Sequence, residues 1–411
     1  MKLTKVIAGV VVPLIVALLA TSAGARTNHA PLKGEGKGLK LIANVKYPGG
    51  TDMEFATIRG REYAFVGSAE TIGNAGAGEG AFRVIDITKP ARPKLAAKLK
   101  CSFYQGDIQI SHNKKVALMA HDDFNVGGKN ACLAITSGGF MTIDIRNPRK
   151  PKPLGYAAIS RGSHNITAHP TKPIVYNSDS DLEKRGEIQI WSIANPRKPK
   201  RLNTVTSLPH SPHDVSFNKQ GTMAVMASVS HFDIWDTRNP VKPKLLYTAQ
   251  CPGCSITHDA KFTPNGKRIV IGDEGGGGGE YPCPGGALYF YDLLGTKAQP
   301  VPVLTGVYEP AEFGAVNVGI PKACTSHVFD ISNDGKRLAI SWYSAGTRYL
   351  DISSSHGVTV GPNSSPGGVV ELGWFIPKGA VSWSSKFHKG PYIYSNDEYR
   401  GFDVYRITAK K

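Results

Sequence analysis

The sequence predicts an all-β fold, a seven-bladed β-propeller closed by an N-terminal strand that completes the last blade. Three observations predict it: a proline-marked hairpin that recurs along the chain, a second hairpin that precedes each copy, and an incomplete strand set at each chain end. No long stretch carries helical periodicity, and Val, Ile, Tyr and Thr fall in short runs between Gly- and Pro-rich turns.

The marked hairpin reads VIDITKPARPKL from Val84, TIDIRNPRKPKPL from Thr142, IWSIANPRKPKRL from Ile190 and IWDTRNPVKPKLL from Ile234. Proline fixes φ and lacks a donor, so the two prolines belong in a turn between two outer strands. The preceding block reads HDVSFNKQGTMAVMAS from His213, HDAKFTPNGKRIVIGDE from His258 and HVFDISNDGKRLAISW from His327. Further copies start at His164 and Gly106, and weaker ones at Thr51 and Gly379. Each reads as strand, Gly- or Pro-containing turn, strand. The seven copies lie roughly 45 to 70 residues apart, the length of a four-stranded blade. The last copy ends with FDVYRI and has no fourth strand of its own, while LKLIANVKY from Leu39 resembles the other fourth strands. Pairing the two closes the ring without an exposed edge.

These blocks resemble the LVIVD repeat, and CTSHVFDISNDGKRLAISWYSAGTRYLDIS is similar to segments of secreted bacterial LVIVD-repeat proteins. The resemblance covers nearly the whole chain after residue 38. It implies a propeller and an extracytoplasmic or surface location, and brings no activity with it. A more distant likeness of architecture links the chain to selenium-binding-protein-like methanethiol oxidases, whose cysteine motifs it lacks.

Residues 1–25 read as a signal peptide, with Lys2 and Lys5 before an apolar stretch and Ala23-Gly24-Ala25 as a cleavage site. Residues 26–38 read as a flexible segment and residues 39–411 as the propeller. The six cysteines of an exported chain are expected to be oxidised. Cys101–Cys132 is the expected pair in the second blade. Cys251, Cys254, Cys283 and Cys324 allow three pairings, including Cys251–Cys254 within CPGC. A redox-active CPGC lacks the helix that ordinarily lowers such a thiol's pKa.

In a propeller the innermost strand runs down from the top mouth of the channel and the second returns to the top. His164, His213, His258 and His327 share the first position of that innermost strand in four successive blades, so they form an arc at the mouth. His210 is expected on the same rim. The loops after the second strands add His121, Asp122, Asp123, Asp179, Asp181, Asp273, Glu274, Asn396, Asp397 and Glu398. Imidazoles with carboxylates are the ligand set of zinc, copper or iron-type metals. The four histidines are the candidate ring, Asp273 and Glu274 secondary ligands, and His210, His121, Asp122, Asp179 and Asp397 further ligand-binding residues. A polar residue at this position also serves to bond a neighbouring blade, as Asp107, Asp214 and Asp259 are expected to do.

The net charge is +17, or about +15 once Lys2 and Lys5 leave. Arg146, Arg149, Lys150, Arg197 and Lys198 map to the bottom turns, so an anionic envelope polymer or lipid surface is the expected partner there. Without interleaved aromatics, and in an exported chain, nucleic acid is not. No GxSxG, SxxK or HExxH is present. Three functions follow: a secreted or surface-associated binding module with a metal or ligand site at the top mouth, a metal-dependent oxidoreductase or hydrolase using the same rim, or a purely structural cell-envelope scaffold.

Overall fold

The computed structural model describes residues 32–69, 80–101, 105–122, 137–179, 186–206, 208, 210–278, 283, 285–311, 324–360, 363–364 and 368–410. The expected signal peptide and Cys132 lie outside them, as do Asp123 and Asp181. Seven sheets form, one per repeat, each with four antiparallel strands running outward from an innermost one; in blade 5, Gly357–Val360 adds in parallel to the fourth. The innermost strands of blades 1 to 7 are Gly50–Ile58, Ile108–Ile110, Asn165–Ala168, Asp214–Phe217, Thr257–Phe262, Phe329–Ile331 and Ser382–Phe387.

Burial follows position within a blade. The second strand Val116–His121 is buried at every residue, because both faces of a blade's middle pack on neighbouring blades. The outermost strand Lys244–Gln250 is exposed or half-buried throughout. Hydrophobic cores accordingly lie between blades: Phe65, Phe82 and Val84 of blade 1 pack with Ile108, Met119 and Met141 of blade 2.

The proline turns have a local cause. Asp144 and Asp236 end their third strands and accept the backbone N–H two residues on, Arg146 at 3.0 Å and Arg238 at 3.0 Å. Asn147, Asn195 and Asn239 repeat the device at the next bend. Beyond the turn, the third and fourth strands pair with a register shift in every one of the seven blades. Such a bulge increases the local twist of the outer strand.

Ring closure is as expected. Leu39–Val45 pairs antiparallel with Gly401–Ile407 and carries the same bulge, between Leu41 and Ala43. The segment expected to be flexible is ordered in part: Gly34–Lys37 pairs with Val370–Pro377 as a fifth strand of blade 6. The chain turns between blades 6 and 7 at Gly38, whose φ is +65°. The disulfides among the described residues are Cys251–Cys254 and Cys283–Cys324. Cys101 is disulfide-bonded as well. The disulfides point to an oxidising compartment.

Candidate metal centre at the channel mouth

His164, His213, His258 and His327 do lie in sequence around the mouth, each buried. Successive imidazole centroids are 4.5, 4.2 and 4.2 Å apart. The corresponding residue of blade 7 is Trp383, not Gly379. Ser384 bridges to Val328, the residue after His327, and the Trp383 ring lies 4.6 Å from that of His327. The bottom turn of blade 7 is one residue shorter than that of blade 4, and its first strand is bulged between Ser382 and Ser384. An alignment from the start of the hairpin therefore slips.

The ring position has a structural duty that recurs. Thr51 Oγ1 donates to the Gly106 carbonyl of the next blade, His213 Nδ1 to that of His258 at 2.9 Å, and His327 Nδ1 to that of Trp383 at 2.6 Å. Those bonds fix the tautomer of His213 and His327 and leave Nε2 of each pointing at the mouth. His258 departs from the pattern: its Nδ1 is buried and has no hydrogen-bond partner. Its Nε2 lies 3.7 Å from Glu274 Oε2, beyond hydrogen-bond reach.

Glu274 comes from the loop after the second strand of blade 5 and reaches the ring. Its Oε1 lies 3.6 Å from His327 Nε2 and accepts the Tyr343 hydroxyl at 2.5 Å. One ligand atom each from His213, His258 and Glu274 lies within 4.8 Å of the others. A tetrahedral ion bonded at ~2.0–2.2 Å sets its ligand atoms ~3.3–3.6 Å apart, so a pair at that limit must close by more than about an ångström. Tyr343, which orients the carboxylate, follows the second strand of blade 6 in a bulky hydrophobic run. Nothing in that run marks it as different from a core tyrosine.

Protonation follows from burial and neighbours. Burial holds His213 and His258 well below the ordinary imidazole pKa, with neighbouring ring histidines adding to the effect. Burial takes His327 down to about 3. For His164 burial opposes charge, but the Asp122 carboxylate, 2.6 Å from its Nδ1, outweighs it and the pKa is raised. With both nitrogens protonated, His164 donates from Nε2 to His213 Nε2 at 2.8 Å. Burial pushes Glu274 up to about 7, against the pull of Tyr343 and His164.

The remaining expected site residues fall elsewhere. Asp273 does not face the ring: its Oδ1 accepts Ser255 N–H at 2.8 Å and Ile256 N–H at 2.9 Å. His210 does not join the rim either, but stacks on His231 with centroids 3.5 Å apart. His121 Nδ1 contacts the Tyr156 hydroxyl, and Asp179 pairs with Arg161 at 2.6 Å. Asp397 caps a turn by accepting the N–H groups of Tyr399 and Arg400. Asp122 meets the ring through His164 Nδ1. Glu398, expected on the same face, is buried close enough for Glu274 to help raise its pKa, after burial and Asp397. The glycine run begins as a single 3-10 turn, Gly275–Gly278, tied by Gly275 N–H to Thr325 Oγ1 at 2.7 Å.

Below the ring the channel holds a cavity of about 310 Å³ that His258 lines together with Asp52, Asp107, Asp214, Lys261 and Lys386. Asp107 and Asp259 brace blades as expected, accepting Ile166 N–H at 2.7 Å and Phe329 N–H at 3.3 Å. Asp214 instead accepts the N–H of its own neighbour Val215.

Fold and site define the class: a seven-bladed β-propeller with a histidine–carboxylate centre at one mouth of its channel. No protein-family model and no curated protein matches the chain. Among solved structures it is similar to the Cps50 (Swd1) β-propeller domain of Myceliophteria thermophila. That likeness has 11% identity and a TM-score of 0.61 over 90% of this chain and 100% of that one. It is also similar to a functionally unknown protein from Desulfotomaculum acetoxidans, at 13% identity and a TM-score of 0.53 over 80% of this chain and 89% of that one. At such identities the likeness shows the fold alone.

Proposed function

We propose that this chain is a secreted or surface-associated binding module of the LVIVD type that holds a transition-metal ion at its channel mouth. His213 Nε2, one nitrogen of His258 and the Glu274 carboxylate are the ligands. The observation that carries the reading is His258, a buried imidazole with an unpartnered nitrogen in the midst of two other ligand types. Leaving such a group unsatisfied costs roughly 1–3 kcal/mol, which a coordinate bond offsets. His164 and Asp122 then tune His213, and Tyr343 orients Glu274, as outer partners do around a metal. The quoted repeats and the disulfides support the family and the location.

A second reading, a metal-dependent oxidoreductase or hydrolase, is favoured by the 310 Å³ cavity beside His258, which has room for a small molecule.

Elemental analysis of the full chain, purified without chelator, tests the metal. About one zinc, copper or iron per chain is expected, with none in the His213→Ala/His258→Ala double variant. Metal-free protein whose melting temperature is the same with and without added zinc or copper would overturn the reading.

A further inference from the structure

The opposite end of the blades carries a second pocket, independent of the metal centre. A cleft of about 440 Å³ opens on the bottom face between blades 2 and 3. One wall is the hairpin between the first two strands of blade 2, which contributes His112 and Lys115. The other is the proline turn of blade 3, which contributes Arg197, and Arg146 enters from the turn of blade 2. Lys115, Arg146 and Arg197 are exposed and no other cation is needed to make the cleft positive. The one carboxylate present, Asp144, is neutralised by Arg146 through contacts of 2.9 Å to Nε and 2.5 Å to Nη2. Lys115 and Arg197 have no such partner for their side chains among the described residues. His112 Nδ1 is buried and likewise lacks a hydrogen-bond partner.

The walls are fixed before any ligand arrives. Thr142 Oγ1 of blade 2 donates to the Pro196 carbonyl of blade 3 at 2.5 Å. Gly155 lies so close under the same turn that a Cβ there would sit 2.6 Å from the Arg197 carbonyl oxygen and 2.7 Å from that of Pro196. The same place after the bulge is glycine in blades 5 and 6 as well, Gly306 and Gly373. The floor is apolar, with Leu154 and Ile193 facing the same space.

Guanidinium, ammonium and imidazole converging on one space are the donors that recognise phosphate oxygens, Arg by its planar fork and Lys as a point charge. An apolar floor beside them accommodates a carbon skeleton attached to the phosphate. We infer that this cleft binds a phosphate ester, with Lys115, Arg197 and His112 on the phosphate and Leu154 and Ile193 against its organic part. The ester can be a lipid headgroup or a soluble or polymer-borne glycerol phosphate; the recognition chemistry is the same.

The test measures binding of glycerol 3-phosphate by calorimetry and co-sedimentation with phosphatidylglycerol vesicles, using phosphatidylcholine vesicles as the neutral reference. The full chain is compared with Lys115→Gln/Arg197→Gln and with Lys242→Gln, a lysine in the exposed turn of blade 4 outside the cleft. Loss of binding by tenfold or more in the double variant, with less than twofold change in Lys242→Gln, is expected. Binding of the soluble ester identifies a free or polymer phosphate, and binding confined to vesicles identifies the lipid. Failure of both probes, or equal losses in the two variants, would overturn the cleft as a site, the latter because it means diffuse surface charge. His112→Asn, measured separately, is expected to weaken the same binding without changing the melting temperature.

Discussion

His213 shows how one residue serves the fold and the site together. Its Nδ1–H braces the carbonyl of His258, so its Nε2 lone pair is left for either the His164 proton or a metal. An ion entering must displace that proton donor, and must also take the proton that the metal-free protein holds on Glu274 at pH values below about 7. His213 and His258 themselves stay neutral, because burial keeps both pKa values well below the ordinary one, and so offer no competition from protons near neutrality. Glu274 and the His164 imidazolium together set the sign: apparent affinity rises with pH through about 7 and goes on rising until His164, whose pKa the Asp122 carboxylate raises, has also lost its proton. For each displaced proton the gain is about tenfold per pH unit below the pKa of the group that loses it. Zinc titrations at pH 6 and pH 8 check this, with at least one proton released per ion at pH 6; equal affinities at the two values would contradict it. The ring itself is legible in the sequence, because four blades repeat histidine at one strand position. Trp383 is not, because a shorter turn and a bulge shift its register. Asp273 and Glu274 look alike in sequence, yet alternation sends one into loop hydrogen bonds and the other to the ring.

The elements that matter most are the three loops around blades 5 and 6. Asp273 ties the segment leading to His258, its carbonyl accepts Thr325 and Ser326 hydroxyls ahead of His327, and Glu274 follows it directly. Cys283–Cys324 joins the same two loops, and Cys251–Cys254 precedes His258. Asp273→Ala leaves two partly buried N–H groups without their acceptor, which costs about 1–3 kcal/mol. Urea denaturation is expected to show that loss, and a metal titration is expected to show weakened binding although Asp273 is no ligand. Unchanged metal affinity in this variant would mean that the loop is held by other contacts. Hairpins, turns and the three possible pairings of four cysteines are legible from spacing. Which pairing forms is not, since it depends on how close the loops of adjacent blades come.

For the whole molecule, closure is what holds the mouth as a ring. The N-terminal strand Leu39–Val45 fills the place that blade 7 lacks, and the sequence shows this through its likeness to other fourth strands. The extra strand Gly34–Lys37 on blade 6 is not legible, because a glycine-rich, exposed segment carries no burial pattern. Gly38 makes the crossing possible: φ is +65° and a Cβ would overlap the Leu372 carbonyl. Gly38→Ala is expected to cost about 1–3 kcal/mol. Differential scanning calorimetry reads that as a lower melting temperature, and an unchanged transition would count against closure through this junction. With the ring closed, basic turns occupy one face and the histidine–carboxylate centre the other. The central claim is that His213, His258 and Glu274 hold one metal ion. X-ray absorption at the edge of the bound metal tests it most directly. The claim predicts nitrogen and oxygen neighbours at about 2.0–2.2 Å, imidazole scattering from two rings and no sulfur. It also predicts that His258→Ala removes one ring from the spectrum, or the metal altogether. A sulfur shell, or a spectrum that His258→Ala leaves unchanged, would contradict it.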